Sequence, residues 1–324
     1  MARKLGTKRA IERLRELEVD GPNLEHTEEL KTFLAHTSNH VAARAADLIR
    51  SAGLDALIAE VESAFERFME DPVKSDPGCT AKLAIVRCLS EFEHPAADLY
   101  LRGARHRQLE PAWGKPEDSA PGLRGASGRA LAIIRHPDVY RVHADLLSDA
   151  EAETRRLAVE TLSSIASEQS ELMLRMKLHA GDDEPGVLAE AFKGLMQHAP
   201  LESIDIVANF LGHDDMAIAE GAALALGESK RPEAFEALRA AWDANLMENY
   251  RCMLTLPVAL LRSDAAFDFL CDGIATASVE SAAALIRALA LYAGDPACMK
   301  AVRKAVAARE EPELAQTFED AFIE

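Results

Sequence analysis

Residues 217–242 read "AIAEGAALALGESKRPEAFEALRAAW". A run of small residues breaks at Ser229-Lys230-Arg231, and Pro232 then opens a second segment of helical periodicity. Proline suits a first helical position, because the N–H it lacks has no intrahelical acceptor there and its ring already fixes a helical φ. Pro232 is therefore a predicted helix start. A step of 32 residues meets Pro200 on one side and Asp264, then Pro296, on the other. Asp264 also suits a helix start. Two further steps back from Pro200 meet Glu168 and then His136, which Pro137 follows.

The apolar residues keep the same register. In five blocks beginning at 168, 200, 232, 264 and 296, one column reads Leu174, Ile206, Leu238, Leu270, Val302. A second column, four residues on, reads Leu178, Phe210, Trp242, Ile274, Val306. An i, i+4 pair lies on one helix face. Fixed self-similarity at a few tens of residues is the mark of a solenoid, so the sequence predicts an all-α solenoid of stacked antiparallel helix pairs with a repeat of about 32 residues. Composition agrees: hydrophobic residues make up 48% of the 324 but aromatics only 5%, leaving Ala and Leu to build the core. That suits closely packed helices, and no segment shows the sustained alternation of a strand.

The pattern divides the chain into a basic helix over 1–22, irregular helical repeats over 23–101, an inserted loop over 102–122, and regular repeats over 123–324 as one continuous solenoid. Charge follows the same division. Residues through 143 hold 21 Lys and Arg against 22 Asp and Glu, whereas those from 144 hold 15 against 32. The acidity of the regular repeats disfavours nucleic acid as a partner, since phosphates are repelled. No apolar run approaches the roughly 18 residues needed to span a bilayer, and the start lacks an apolar secretory core. Five cysteines without a C-x-x-C pair fit buried thiols in a reducing cytosol, so a cytoplasmic location is expected.

Acidic turns punctuate the repeats: "LLSDAEAETRRLAVETL", "LHAGDDEPGVLAEAF", "LGHDDMAIAEGAALAL". Asp149, Asp182 or Asp183, and Asp214 or Asp215 precede a helix, where a carboxylate accepts from free N–H groups; capping is preferred to metal binding. His94, His136 and His198 are expected to cap the ends of the helices before them. His36 and His40 are four apart, but "HTSNH" interrupts the helix they would share. No metal and no cofactor is expected.

The Leu-Leu, the Asp turn, and the helix ending in Ala-Leu-Gly resemble the short HEAT-like repeat of the phycobilisome-lyase type. "AIAEGAALALGE" and "LLSDAEAETRRLAVETL" carry the match, which covers about 124–324 well and 27–101 loosely. Where that repeat has Val-Arg opening its second helix, Leu123-Arg124 and Thr154-Arg155 approximate it, while Val187-Leu188 and Ile218-Ala219 lack the Arg. "DPGCTAK" and "RHRQLEPAW" are similar to stretches in bacterial HEAT-repeat proteins.

Two segments depart from the period. The first, "LRGARHRQLEPAWGKPEDSAPGLRGAS", clusters Arg102, Arg105, His106 and Arg107 ahead of Glu110 and Trp113. Insertions in solenoids project from one face and commonly bind. The second, "SDPGCTAKLAIVRCL", turns through Asp76-Pro77-Gly78 into a helix with Cys79 at its start and Lys82 in its first turn. Its free N–H groups suit an anion, although the phosphate-loop spacing is absent. Cys79 is read as a buried thiol in preference to a reactive thiolate. Second helices of neighbouring repeats lie side by side, so Lys82, Arg105, Arg107 and Arg124 are expected to converge near Glu110 and Trp113. The resulting patch would take an acidic peptide or an anion. The competing arrangement is a clasp in which Arg105 and Arg107 neutralise Glu110 and Asp118.

The function expected from these features is a non-catalytic protein-binding scaffold or adaptor whose partner is another protein, with no membrane partner. The alternative is an enzyme or enzyme subunit on the same fold. The resemblance implies bilin-lyase activity; a DNA alkylation-repair glycosylase would need a basic, aromatic groove that only residues 102–143 approach.

Overall fold

The computed structural model describes residues 6–322, so the first five residues of the expected N-terminal helix lie outside it. The chain forms two compact units that meet in sequence at Thr161 and Leu162. Both are all-α stacks of antiparallel helix pairs, the solenoid class.

The first unit contains α1 (Thr7–Asp20), α2 (Thr27–Leu34), α3 (Asn39–Ser51), α4 (Ile58–Glu70), the single turn α5 (Pro72–Ser75), α6 (Thr80–Glu91), α7 (Ala97–Arg105), α8 (Pro121–Ile133) and α9 (Val139–Leu147). α10 (Ala152–Ser164) ends just past its boundary. The second helices α3, α6 and α8 lie side by side, each packed on the next. A Cβ on Gly125 of α8 would lie 2.3 Å from the Leu157 side chain of α10, so only glycine permits this approach.

The second unit contains α11 (Glu168–Ala180), α12 (Pro185–His198), α13 (Pro200–Ala208), α14 (Met216–Glu228), α15 (Pro232–Ala244), α16 (Glu248–Leu260), α17 (Asp264–Thr276), α18 (Val279–Leu289), α19 (Pro296–Ala307) and α20 (Pro312–Phe322). Its odd-numbered helices begin at 168, 200, 232, 264 and 296, the five block starts read from the sequence. Pro200, Pro232 and Pro296 each occupy a first-turn position, which answers why Pro232 stands where it does. Of the ten column residues, Leu174, Leu238, Leu270, Val302, Leu178, Ile274 and Val306 are buried. Ile206, Phe210 and Trp242 are half-buried. Each fully buried aliphatic side chain contributes roughly 1.5–3 kcal/mol. α12, α14, α16, α18 and α20 form one row, each against the next.

Capping follows the sequence in part. Asp215 accepts from the Ala217 N–H and Asp295 from the Ala297 N–H, both at the start of a helix. The histidines behave differently. His136 Nδ1 accepts from the Asp138 N–H, His94 Nε2 meets Glu62 at 3.0 Å, and His198 Nε2 meets the Ser163 carbonyl at 2.9 Å. They organise the next turn or tie to a neighbouring helix instead of closing the helix before them. One further feature went unread: Leu109–Glu110 and Glu117–Asp118 pair as a short antiparallel hairpin, β1 and β2. Two residues per strand are too few for alternation to register in a sequence.

Candidate functional site

The hairpin rises from the chain between α7 and α8, and its base is fastened by buried polar groups at the starts of the second helices. Asp76 is the first fastening point. Pro77-Gly78-Cys79 forms a single 3-10 turn in which Gly78 (φ 72) and Cys79 (φ 54) are both left-handed. A left-handed cysteine costs on the order of 1–2 kcal/mol, a strain held in place by its burial. The turn folds the wholly buried Asp76 carboxylate back over the start of α6, where it accepts from the Ala81 N–H at 2.8 Å and the Lys82 N–H at 3.0 Å. Asn39 Nδ2 of α3 adds a bond at 3.0 Å and Lys82 Nζ an ion pair at 3.1 Å. The anion expected at this helix start is thus supplied by the chain itself, and Lys82 is spent on it.

Gln108 carries the fastening into the hairpin. Its side-chain amide donates to the Asp76 carbonyl at 2.8 Å and to Glu110 Oε1 at 2.6 Å. Glu110 Oε1 also accepts from the Gly78 N–H at 2.8 Å and Ser119 Oγ at 2.5 Å. Burial alone would raise the Glu110 carboxyl, but the Ser119, Gln108 and Gly78 donors outweigh it and hold it below its ordinary value.

The second fastening point is a four-membered ion network. Arg124, fully buried on α8, donates to Asp118 Oδ2 at 2.7 Å, to Asp149 Oδ1 at 2.9 Å, and to the His106 carbonyl at 3.0 Å. Arg107 reaches the other oxygen of Asp149 at 3.0 Å and Asp118 at 3.5 Å. Two guanidiniums thus face two carboxylates. Asp118 also accepts from the Gln108 and Ala120 N–H groups; against the opposing effect of burial, these and Arg124 keep it ionised below its ordinary range. Burial pushes the His106 imidazole down and keeps it neutral.

The seven expected site residues therefore divide. Lys82, Arg124 and Cys79 are buried inside the frame, and burial pushes the Cys79 thiol up to about 12, so it is no thiolate at neutral pH. Glu110 is half-buried in the hairpin base. Arg107 is half-exposed, with one edge in the network. Arg105 is exposed and makes no ion pair or side-chain hydrogen bond among the described residues. Trp113 is fully exposed at the hairpin tip. Asp76, Gln108 and Asp149 were missed as site-builders. "DPG" ahead of a helix signalled Asp76 as a cap, but nothing local signals a partner 37 residues away.

Among the described residues no group of three or more His, Cys, Asp or Glu is placed to hold a metal ion, and no helix is long and apolar enough to cross a membrane. No protein-family model matches the chain, and no curated protein sequence does. Among solved structures, human deoxyhypusine hydroxylase in complex with glycerol aligns over 98% of this chain and 98% of its own, with 19% identity and a TM-score of 0.32. An engineered protein aligns over 97% of this chain and 95% of its own, with 15% identity and a TM-score of 0.37.

Proposed function

We propose that this chain is a HEAT-like protein-binding scaffold or adaptor that engages its partner through the hairpin between α7 and α8. One observation carries the reading: a fully exposed Trp113 stands on a loop whose base is fixed by buried ion pairs. A tryptophan buries 150–250 Å² when covered, leaving roughly 4–6 kcal/mol of apolar burial unrealised in the free chain. Holding it on a pinned hairpin lowers the ordering cost of binding, and tryptophan is prominent among interface anchors. In this reading Trp113, Arg105 and Arg107 make contact. Lys82, Glu110, Arg124 and Cys79 hold the frame.

The test is Trp113→Ala, with partners recovered from the native host by cross-linking and identified alongside those of the wild type. The expected result is loss of a specific partner with an unchanged melting temperature, because the side chain touches nothing that stabilises the fold. Recovery of the same partners in the same amounts would sink the reading.

A further inference from the structure

At the foot of the hairpin, α4, α7 and the link from α7 to β1 border an open cleft of about 750 Å³. Its apolar lining comes from Met69 and Leu101, both half-buried. Three arginines also line it, and they differ in what they have left to give. Arg102 is occupied, donating both terminal nitrogens to Glu66 and lying over the Phe65 ring. Arg107 is held from behind by Asp149 and Asp118, yet more than half of its side chain remains exposed. Arg105 has no partner among the described residues. Asp98 is the one carboxylate in the lining, exposed on the first turn of α7.

Arg105 and Arg107 line the same cleft, the first free among the described residues and the second held by buried carboxylates, so both have N–H donors to offer a ligand there. Guanidinium groups offer paired N–H donors that match a carboxylate. The apolar lining next to them asks for a side chain that water would not satisfy. We propose that this cleft binds an acidic peptide segment of a partner protein, with its carboxylates on Arg105 and Arg107 and an apolar side chain against Met69 and Leu101. The inference rests on the reading of the chain as a protein-binding module and names the chemistry of what it binds. Since His106 is neutral, the positive charge of the site is arginine charge and does not fade across physiological pH.

The probe is a fluorescein-labelled peptide with a central leucine flanked by glutamates, followed by anisotropy on the full chain. Saturable binding that weakens as salt rises is expected. Arg105→Glu should weaken it about tenfold or more, because it replaces the one free donor by a like charge. Arg87→Glu makes the same change of net charge at an exposed position on α6 and should leave affinity within about twofold. Asp98→Asn should tighten binding, since it removes the one carboxylate that opposes the ligand. Replacing the peptide's leucine by serine should weaken it. The proposal is overturned if the wild type shows no saturable binding, or if Arg105→Glu and Arg87→Glu weaken binding equally. Either result beside a Trp113→Ala variant that still loses its partner would remove the cleft while leaving the hairpin reading intact.

Discussion

The two units use the same device, an acidic residue at a helix start, and put it to different ends. In the unit from Leu162 onward Asp215 and Asp295 bond two residues ahead, and Ser263 and Ser278 bond three ahead. Those bonds close a helix end, and Ser278 also donates to Glu248 of α16. In the unit up to Thr161 the equivalent carboxylates reach across repeats, Asp76 to Asn39 and Asp149 to Arg124 and Arg107. In the regular repeats apolar packing is joined by single hydrogen bonds between repeats, such as Tyr250 to the Leu211 carbonyl and Ser281 to Glu248, and the helix starts are capped locally. Where a hairpin breaks the period, the apolar register is lost, and buried ion pairs hold the frame in its place.

The contrast predicts unequal costs. Arg124→Ala leaves Asp118 and Asp149 buried without their main counter-charge, a loss of about 3–5 kcal/mol. Asp215→Ala removes one cap at the surface and should cost about 1 kcal/mol. Urea unfolding followed by circular dichroism measures both, and hydrogen exchange should place the Arg124 effect in α8 and the hairpin. Equal losses would mean that the network is worth no more than a cap.

Acid should separate the units next. Glu110 and Asp118 are held below their ordinary values of 4.5 and 3.8, so the unfolded chain takes up protons first as pH falls. Their contribution is complete above about pH 4.5 and is lost as pH drops through the folded values. The half-buried imidazole of His106 and the buried one of His143 are pushed below their ordinary 6.5, so they act in the same direction from a higher pH, removing stability as pH falls below about 6.5. In the other unit the lowered carboxylates Asp295 and Glu311 are exposed or partly exposed, where screening weakens their effect. Exchange protection of the hairpin and α8 should therefore fall before that of α14 as pH is lowered. Simultaneous loss would contradict the assignment.

The same contrast explains what could be read in advance. The starts of α11, α13, α15, α17 and α19 were legible because each signal, a proline or an acid beside an apolar i, i+4 pair, lies within a few residues of its effect. The hairpin frame was not. Lys82 and Arg124 are long cationic side chains of the kind usually found at a surface; Lys82 is buried against Asp76, six residues back, whereas Arg124 also depends on Asp149, 25 residues on. Arg105 stands exposed although its side chain is the same as that of the buried Arg124. Local pattern located the region; the division of its residues into frame and surface depended on contacts between repeats.

The smallest expected effect tests a close helix contact of the irregular unit. Ser127 of α8 is fully buried, and its hydroxyl has no hydrogen-bond partner among the described residues. It sits over Gly103 of α7, where a Cβ would approach within 2.3 Å. Ser281, by contrast, is a buried serine of the other unit whose hydroxyl donates to Glu248 at 3.1 Å. Removing a satisfied hydroxyl forfeits a hydrogen bond, about 1 kcal/mol, and leaves Glu248 short of a donor. Removing an unsatisfied one forfeits nothing polar and relieves a desolvation penalty, at the cost of a void of one oxygen. Ser127→Ala should therefore be neutral or stabilising by up to about 1 kcal/mol, while Ser281→Ala destabilises by about that amount. Paired thermal melts decide it. A Ser127→Ala variant that melts lower than the wild type by as much as Ser281→Ala does would show that the hydroxyl has a partner after all, and that the α7–α8 contact is polar where it is here taken to be steric.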